Sequence, residues 1–468
     1  MYFPKITLQT SLVLALFLGL LAGCRKDAPA TPMPVTPPTT GTPAQYGIPF
    51  AGVPNREDAV IYQVNMRAFS AGGNFAGVTA RLDSIKAIGA NVVYLMPIYP
   101  VGTDSRAVNS PYCVKDYRAV GTEFGTLTDL RTLVDAAHAR GLTVLLDWVA
   151  NHTSWDHPWI AAHPDWYVHN AAGTIISPNS NGFTYADVAQ LDFSNAAMRL
   201  EMIAALKSWV FTANVDGFRC DYADYQPADF WQQATDTLRH VRTHRLLLLA
   251  EGARGANFLS GFDYNFGFGF YGGLKSVYRS NASATLIDAL NYSEYAGATG
   301  TQQVVRYTTN HDVNGSDGTP VAVFGGSAAA MSAFVVAALC KGVPMIYNGQ
   351  DAGMTTAIPF PFTSVKVRWG ANPGITRAYQ QLLAARAASP ALRAGPPTTY
   401  SSANVCAFTK AVGADQALVL VNVRNAASPY AVPATLAGTT WTNALTSAPI
   451  TLGTSITLPA YGYLVLKK

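Results

Sequence analysis

The chain has 468 residues, of which 49% are hydrophobic and 13% are charged. This hydrophobic content is enough for a substantial core and excludes disorder over most of the chain. The formal net charge is +4, and the sequence contains no run or stripe of basic residues. Nucleic acid is therefore not expected as a partner. The length suits one barrel-sized domain plus a smaller one.

The first 24 residues have the pattern of a targeting segment. Lys5 precedes a short apolar stretch at residues 11–21, which is too short to cross a bilayer comfortably as a mature helix. The segment ends in Leu21-Ala22-Gly23-Cys24, which resembles the lipobox of bacterial lipoproteins. The resemblance implies export by a signal peptide and a lipid on Cys24 that anchors the protein to the bacterial cell envelope, at the outer membrane or cell surface. The alternative is an ordinary signal peptide with an incidental cysteine.

Residues 25–45 are rich in proline, threonine and alanine and have no periodic apolar face. Such a segment stays extended and solvated, so we predict a spacer between the anchor and the folded domains. The remaining cysteines are widely separated and form no CxxC pair; they are Cys113, Cys220, Cys340 and Cys406. Because the spacing defines no disulfide pairing, we expect buried free thiols.

From about residue 57, short apolar runs alternate with amphipathic segments. We predict strands at residues 59–65, 91–97, 142–147, 216–221, 246–251, 262–266, 304–310 and 343–347. Helices are predicted between them, among them residues 127–140, 196–212, 227–243, 327–340 and 375–388. Apolar strands interleaved with helices indicate a parallel sheet buried on both faces. Eight strands favour a closed (β/α)₈ TIM barrel, although a doubly wound sheet fits the same pattern.

Two segments depart from this alternation. The stretch between residues 147 and 196 is long and rich in tryptophan, histidine, asparagine, proline and glycine, and long connections of this kind are usually functional. After about residue 392 the pattern changes to short strands separated by turn residues, typical of an antiparallel β-sandwich. We therefore predict a catalytic barrel over residues 46–391, with an insertion at about 153–190, and a β-domain over residues 392–468.

Acidic residues lie at the carboxyl ends of several predicted strands, where barrel enzymes place their catalytic groups. They are Asp147, Asp221, Glu251 and Asp312. Carboxylates in such positions are costly to bury unless they are paired or used. Arg219, two residues before Asp221, lies on the same side of its strand and would favour the ionised carboxylate. Four carboxylates at one barrel mouth indicate a catalytic site.

Each motif alone also fits a structural role. A strand-terminal aspartate often caps the next helix, and a single histidine such as His152 or His311 often bonds the backbone. The ordered set is more specific: DWVANH at 147–152, GFRCD at 217–221, LLAEG at 248–252 and TNHD at 309–312. Together with residues 191–193 and 342–351, this set resembles the α-amylase family of glycoside hydrolases. The resemblance extends from about residue 58 to the C terminus and implies that residues 153–190 form domain B.

The resemblance implies a retaining mechanism that uses two carboxylates. Asp221 would be the nucleophile, and Glu251 would be the general acid and then the base. Asp312 would bind the sugar hydroxyls and stabilise the oxocarbenium-like transition state. The implied substrate-binding residues are Tyr62, Asp147, His152, Arg219 and His311. Among these, Tyr62 would stack on the sugar, and Arg219 would keep the nucleophile ionised.

No cofactor is implied for the chemistry. Many members hold structural Ca²⁺ between the barrel and domain B, and here Asn151 and Asp187 are the candidate ligands. Residues 70–74 contain no acidic residue, unlike the calcium loop that many members carry there. Asp224-Tyr225 also stands where many α-amylases have Lys-His, which puts in doubt a usual sugar contact and one ligand of that Ca²⁺.

We expect a monomer that cleaves α-1,4-glucosidic bonds of starch or maltooligosaccharides. A transglycosylase or an exo-acting α-glucosidase would use the same carboxylates, because only the acceptor or the cleft shape differs. A non-catalytic glucan-binding protein is the alternative from another class. Such proteins usually lack a carboxylate or the arginine, and all of these residues are present here.

Overall fold

The computed structural model describes residues 43–180 and 182–468. The predicted signal segment, Cys24 and most of the predicted spacer lie outside these residues. Eight parallel strands close into one barrel. We number them β1 (Ile61–Val64), β2 (Val92–Leu95), β3 (Thr143–Trp148), β4 (Gly217–Cys220), β5 (Leu247–Ala250), β6 (Tyr264–Phe266), β7 (Gln303–Arg306) and β8 (Val343–Tyr347).

The barrel strands follow one another in chain order, and β1 closes the ring by pairing with both β2 and β8. Ile61 of β1 pairs with Val92 on one side and Met345 on the other. Every residue of β1 to β5 is buried, which explains why these strands read as continuous apolar runs. The predicted TIM barrel is confirmed, and ring closure excludes the open doubly wound sheet.

Helices cover the outside of the barrel and follow its strands. The helix Leu127–His138 begins with a capping box, in which Thr126 and Asp129 satisfy each other's backbone N–H groups. Its buried residues Leu130, Leu133, Val134 and Ala137 form one apolar stripe that faces the sheet. The other longer helices are Ala196–Thr212, Ala228–Arg239, Phe268–Arg279, Thr285–Ser293, Ser327–Leu339 and Pro373–Ala388.

Short helices lie in the connections between these elements. They are Met66–Phe69, Phe75–Thr79, Leu82–Ala87, Pro158–Ala162, Gly255–Leu259, His311–Ser316, Pro320–Phe324 and Pro390–Ala394, with 3₁₀ turns at Arg56–Asp58 and Pro164–Trp166. The insertion after β3 contains two small antiparallel pairs, His152–Ser154 with Val188–Gln190 and Asn179–Ser180 with Phe183–Thr184. Its first pair starts only four residues after β3, so the insertion emerges directly at the carboxyl end of the barrel.

The C-terminal domain is an antiparallel sandwich of a six-stranded and a two-stranded sheet. The larger sheet has the strand order Pro397–Thr399, Val405–Val412, Asp415–Asn422, Tyr463–Lys467, Thr440–Asn443 and Pro449–Thr451, and the smaller sheet pairs Ser428–Ala431 with Ser455–Leu458. Alternate residues of Val405–Val412 belong to different cores: Val405 and Ala407 pack inside the sandwich, whereas Cys406 and Phe408 pack against the barrel. The predicted C-terminal β-domain is confirmed.

Cys113, Cys220, Cys340 and Cys406 are buried free thiols, as expected from their spacing. Burial raises the pKa of the Cys113 thiol to about 12, so this side chain behaves as a small neutral group. Among the residues that the structure describes, no helix is both long and apolar enough to cross a membrane.

Candidate active site

Four barrel strands bring their acidic residues to the same end of the barrel. Asp147 lies within β3, Asp221 directly follows β4, and Glu251 directly follows β5. Asp312 lies in the first turn of the helix His311–Ser316, after β7. Because β3, β4 and β5 are neighbours in the ring, these side chains converge on one mouth, as the sequence predicted.

The side chain of Arg219 is the centre of this cluster. Asp147 and Arg219 lie opposite each other in the paired strands β3 and β4. Nη1 of Arg219 lies 2.7 Å from Oδ1 of Asp147 and 2.7 Å from Oδ1 of Asp221, and Nη2 lies 2.8 Å from Oε1 of Glu251. The guanidinium is fully buried. One cation therefore contacts both predicted reacting carboxylates and holds them near each other.

Burial dominates the electrostatics of this cluster. Burial raises the pKa of Asp221 well above its ordinary value; the Arg219 guanidinium opposes this shift, while the neighbouring Glu251 and Asp147 carboxylates add to it. Burial also raises the pKa of Asp147 to about 6 and raises the pKa of Glu251. Arg219 thus limits the rise in the pKa of Asp221, and its predicted role in keeping Asp221 ionised stays a prediction. The cluster retains protons to higher pH than free carboxylates do.

Glu251 and Asp221 present different oxygens to the mouth of the barrel. Oε2 of Glu251 accepts a hydrogen bond of 2.7 Å from the backbone N–H of Tyr222, and its side chain is 11% exposed against 2% for Asp221. Oδ2 of Asp221 meets no hydrogen-bond donor among the described residues. The more exposed Glu251, with its raised pKa, suits proton transfer. The unbonded oxygen of Asp221 suits nucleophilic attack.

His311 is held by a chain of hydrogen bonds that crosses the mouth. Its Nδ1 lies 2.8 Å from Nε2 of Gln63 in β1, and its Nε2 lies 2.7 Å from the hydroxyl of Tyr112. That hydroxyl donates to Oδ2 of Asp147 over 3.0 Å. Burial and the Arg219 charge lower the pKa of His311 well below its ordinary value, so the ring is neutral. The amide of Gln63 then donates to Nδ1, and Nε2–H donates to Tyr112.

Tyr112 is a site residue that the motif search missed. Its ring stacks on His311 at a centroid distance of 5.3 Å with an interplanar angle of 18°, and its hydroxyl contacts Asp147. It lies in the loop after β2, outside every motif that the sequence analysis used. Carboxylates at strand ends give no indication of Tyr112, because only the conformation of its loop brings it to the site.

Tyr62 does not lie where the sequence analysis placed it. Along β1, Gln63 points to His311 at the site, whereas the neighbouring Tyr62 points to the opposite side of the strand. The Tyr62 hydroxyl donates to Asp351 over 2.9 Å, and the residue is 1% exposed. The prediction that Tyr62 stacks on the sugar is therefore wrong, since its ring is buried between the barrel and its outer layer.

Asp147 and His152 form hydrogen bonds that hold other residues of the site in place. Asp147 is fully buried, and besides Arg219 and Tyr112 it accepts from the hydroxyl of Tyr94 over 2.6 Å. This geometry suits a residue that orients Arg219 and Tyr112, and a contact of Asp147 with the substrate stays a prediction. Nε2 of His152 donates to the backbone carbonyl of Tyr112 over 3.1 Å, and burial lowers the pKa of His152 to about 4. His152 thus holds the Tyr112 loop, and its contact with the sugar stays a prediction.

The aromatic residues of the insertion serve mainly as its core. Trp166 and Tyr167 are buried. Trp159 packs edge-on against Trp166 with ring centroids 5.0 Å apart. Trp155 is covered by the guanidinium of Arg106, 3.9 Å from the ring centroid. These contacts give the four rings a structural role in the insertion.

The predicted calcium ligands Asn151 and Asp187 have few neighbours that could complete a metal site. Within the described ranges, no group of three or more His, Cys, Asp or Glu side chains could hold a metal ion. Nδ2 of Asn151 lies 3.3 Å from Nδ1 of His152, and the backbone carbonyl of Asp187 accepts from the thiol of Cys113. Ca²⁺ takes about six to eight oxygen ligands, and the two candidate side chains are too few. Calcium at Asn151 and Asp187 therefore stays a prediction, and we assign the ion no role in the reaction.

Comparisons with known proteins agree with this geometry. The family model "Alpha amylase, catalytic domain" matches residues 55–410. Alpha-amylase MalA of Haloarcula japonica is 27% identical over 309 residues, which are 64% of this chain and 44% of the relative. An oligo-1,6-glucosidase of Parageobacillus thermoglucosidasius is 30% identical over 198 residues, 35% of this chain and 34% of the relative. The matched parts thus span less than half of either relative.

A solved structure gives a wider match. The crystal structure of an alpha-amylase from Lactobacillus plantarum covers 88% of this chain and 99% of its own, with a TM-score of 0.77 and 28% identity. The match therefore includes the C-terminal domain as well as the barrel.

Proposed function

Because the chain belongs to the alpha-amylase family of glycoside hydrolases, we propose that it hydrolyses α-1,4-glucosidic bonds of starch-like glucans or maltooligosaccharides with retention of configuration. The observation that carries this proposal is the contact of Arg219 with both Asp221 and Glu251. One guanidinium holds the proposed nucleophile and the proposed acid close together, and a retaining mechanism needs two neighbouring carboxyl groups. The family's chemistry requires no cofactor, and none is invoked.

The proposed reaction has two steps. In the first, Oδ2 of Asp221 attacks the anomeric carbon while the bond to the leaving oxygen breaks, and protonated Glu251 gives its proton to that oxygen. In the second, the Glu251 carboxylate takes a proton from water, whose oxygen attacks the anomeric carbon and releases Asp221. Asp312 stabilises the positive charge that develops on the sugar in both steps. Burial raises the pKa of Glu251, which favours the protonated form that the first step needs.

The linkage is the finer part of the proposal. The match to an alpha-amylase extends over 64% of the chain, against 35% for the oligo-1,6-glucosidase, which favours α-1,4 bonds in long glucans. A transglycosylase or an exo-acting α-glucosidase would use the same carboxylates, since these activities differ in the acceptor or in the shape of the cleft.

The test is digestion of soluble starch and of isomaltotriose by the purified protein, with product sizes and anomers followed by proton NMR. Maltooligosaccharides that appear first as α-anomers are the expected result. Cleavage of isomaltotriose alone would contradict the α-1,4 specificity and indicate an enzyme for α-1,6 bonds. β-Anomers as first products would contradict retention of configuration. Longer products than the substrate would identify a transglycosylase.

We also propose that Cys24 carries a lipid that anchors the protein to the bacterial cell envelope. The support is the apolar stretch at residues 11–21, the small residues before Cys24 and the proline-rich spacer after it. In a bacterial host, Cys24→Ala should abolish palmitate labelling and move the protein from the membrane fraction to the soluble fraction. Unchanged membrane association of the variant would contradict the proposal.

A further inference from the structure

Residues 45–58 cross the amino end of the barrel, the end at which the strands begin and opposite the proposed active site. The side chain of Asn214, just before β4, donates to the backbone carbonyl of Ile48 over 2.8 Å. Farther along the chain, Arg56 bonds Asp263, just before β6, over 2.6 Å. Because residues that directly precede parallel strands lie at one end of a barrel, these bonds fix the segment across that end. We name residues 45–58 the amino-end strap.

The start of the strap fixes where the N-terminal part of the chain joins the barrel. The backbone N–H of Tyr46 donates to the carbonyl of Phe211 over 2.8 Å, and its hydroxyl donates to Oδ2 of Asp135 over 2.6 Å. Phe211 and Asp135 lie in the last turns of the helices that precede β4 and β3. These helices end at the amino end of the barrel, because the next strand begins there. The predicted spacer, with Cys24 before it, therefore joins the barrel at this end and away from the mouth.

Ile48 projects into solvent from the strap. It is 87% exposed, the largest fraction among the exposed large hydrophobic residues that the structure describes. Single exposed hydrophobic residues are common and need no explanation by themselves. This one is held on a fixed base, because Asn214 bonds its carbonyl and Phe50, two residues later, stacks on His138 with ring centroids 4.4 Å apart and planes at 5°. The strap thus presents one apolar side chain in a defined place at the amino end.

Cations flank Ile48 at the same end of the barrel. Arg245, just before β5, donates to a backbone carbonyl and an amide oxygen of the strap, and both acceptors are neutral, so they do not cancel its charge. Arg140, just before β3, pairs with the exposed Asp83 over 2.7 Å. Since β4 lies between β3 and β5 in the ring, cations stand on both sides of Ile48. We name this set the amino-end surface; it consists of Ile48 and the cations of the connections into β2, β3 and β5, which are Lys86, Arg140, Arg242 and Arg245.

We propose that the amino-end surface contacts an anionic phospholipid bilayer and turns the mouth of the barrel away from it. The inference goes beyond the proposed hydrolysis and rests on the proposed lipid anchor at Cys24. Basic side chains beside a bilayer attract anionic headgroups, and each strengthens the contact about fivefold. An apolar side chain such as that of Ile48 enters the boundary between headgroups and acyl chains. Because the anchored part of the chain joins the barrel at this end, the anchor raises the effective concentration of bilayer at this surface, and a weak contact suffices.

The experiment places an environment-sensitive dye on the processed protein from a bacterial host. Nitrobenzoxadiazole is attached to Ile48→Cys, and the four native cysteines of the folded domains stay unlabelled because they are buried. The protein is reconstituted from detergent on vesicles of phosphatidylglycerol and phosphatidylcholine, or of phosphatidylcholine alone, and the vesicles are recovered by flotation. On the anionic vesicles we expect a blue-shifted emission that lipids with a nitroxide headgroup quench. The same dye on Phe183→Cys, in the insertion at the opposite end of the barrel, should show neither effect.

A double substitution tests the charges. Arg242→Gln with Arg245→Gln should lower the ratio of bilayer-bound to free surface about 25-fold, fivefold for each charge. The matched control is Arg368→Gln with Arg377→Gln, which removes two exposed arginines from the segment after β8 and should leave the emission of the dye on residue 48 unchanged. Starch hydrolysis by the same samples shows that each variant is folded and tests the proposed function separately.

Three results would overturn the inference while leaving the anchor and the proposed hydrolysis intact. They are an unshifted dye on residue 48 in protein that floats with the anionic vesicles, an equal shift on Phe183→Cys, and equal losses in the two double variants. Protein that floats with neither kind of vesicle would overturn the proposed anchor and the inference with it.

Discussion

The substitution Arg219→Lys tests how the buried cation controls the nucleophile. Arg219 contacts Asp147 and Asp221 through Nη1 and Glu251 through Nη2. A lysine keeps the positive charge but has one nitrogen in place of the planar fork, so it cannot maintain all three contacts. The carboxylates stay buried, and at least one of them loses its cationic partner.

The size of the effect follows from the lost contact. A hydrogen bond to a charged group contributes about 1.5–3 kcal/mol, and one pKa unit corresponds to about 1.36 kcal/mol. Losing one contact to Asp221 therefore raises its pKa by about one to two units. Asp221 must be ionised to attack, so the acid limb of the kcat/KM profile should move to higher pH by that amount. The optimum kcat/KM should also fall by about one to two orders of magnitude.

The assay is the pH dependence of kcat/KM on α-maltosyl fluoride, which reports the ionisations of the free enzyme. Arg67→Lys is the matched control, because Arg67 is also a buried arginine but bonds Glu123 and the backbone of Asn109 and Pro361. It contacts neither reacting carboxylate, so Arg67→Lys should leave the acid limb in place. An acid limb that stays in place or moves to lower pH in Arg219→Lys would refute the reasoning.

Three further predictions follow from the same contacts. Glu251→Gln should remove the basic limb of the pH profile of kcat/KM, which the raised pKa of Glu251 places above the ordinary carboxylate range. It should also lower turnover of maltoheptaose far more than formation of the glycosyl-enzyme from α-maltosyl fluoride, because fluoride leaves without a proton. Equal losses on the two substrates would count against Glu251 as the acid. Tyr112→Phe should lower kcat/KM about tenfold or more, because it breaks the hydrogen-bonded link between His311 and Asp147. Tyr62→Phe should lower only the free energy of unfolding, by about 1–2 kcal/mol, through the lost bond to Asp351. A loss of activity in Tyr62→Phe would show that Tyr62 contacts the substrate after all. Burial lowers the pKa of Lys410 to about 7, so between pH 7 and the ordinary lysine range the unfolded state binds more protons than the folded state, and stability rises with pH. Calorimetry should therefore show that the Tm of wild type rises relative to that of Lys410→Met between about pH 7 and about pH 9. A constant Tm difference would contradict this.

Most of the barrel was predictable from the sequence because its strands are buried on both sides. A strand that faces core on both sides is apolar at every position, so runs such as β5 (LLLA) stand out from the amphipathic helices. The carboxyl ends of parallel strands meet at one edge, so the sequence alone predicts that Asp221 and Glu251 lie together. The bounds were less accurate at strand ends: residues 304–310 were predicted as a strand, and β7 ends at Arg306.

The parts that the sequence could not predict depend on loops and on the direction of single side chains. Tyr62 and Gln63 are adjacent in an all-buried strand, and no alternation of polar and apolar residues shows which of them faces the lumen. Tyr112 reaches His311 only because the loop after β2 folds over the mouth. The stacking of Tyr222 on Tyr225 likewise requires the left-handed turn after β4, for which the residue types give no signal.

The most direct test of the account is to trap the covalent intermediate. A 5-fluoro α-glycosyl fluoride has a good leaving group, and its fluorine at C5 slows the second step, so the glycosyl-enzyme accumulates. We predict a stoichiometric mass increase in the intact protein, with the label located by peptide mass spectrometry on Asp221 and absent from Asp221→Asn. Stoichiometric label on Glu251 or Asp312, or turnover of the reagent without any adduct, would contradict the assignment of Asp221 as the nucleophile.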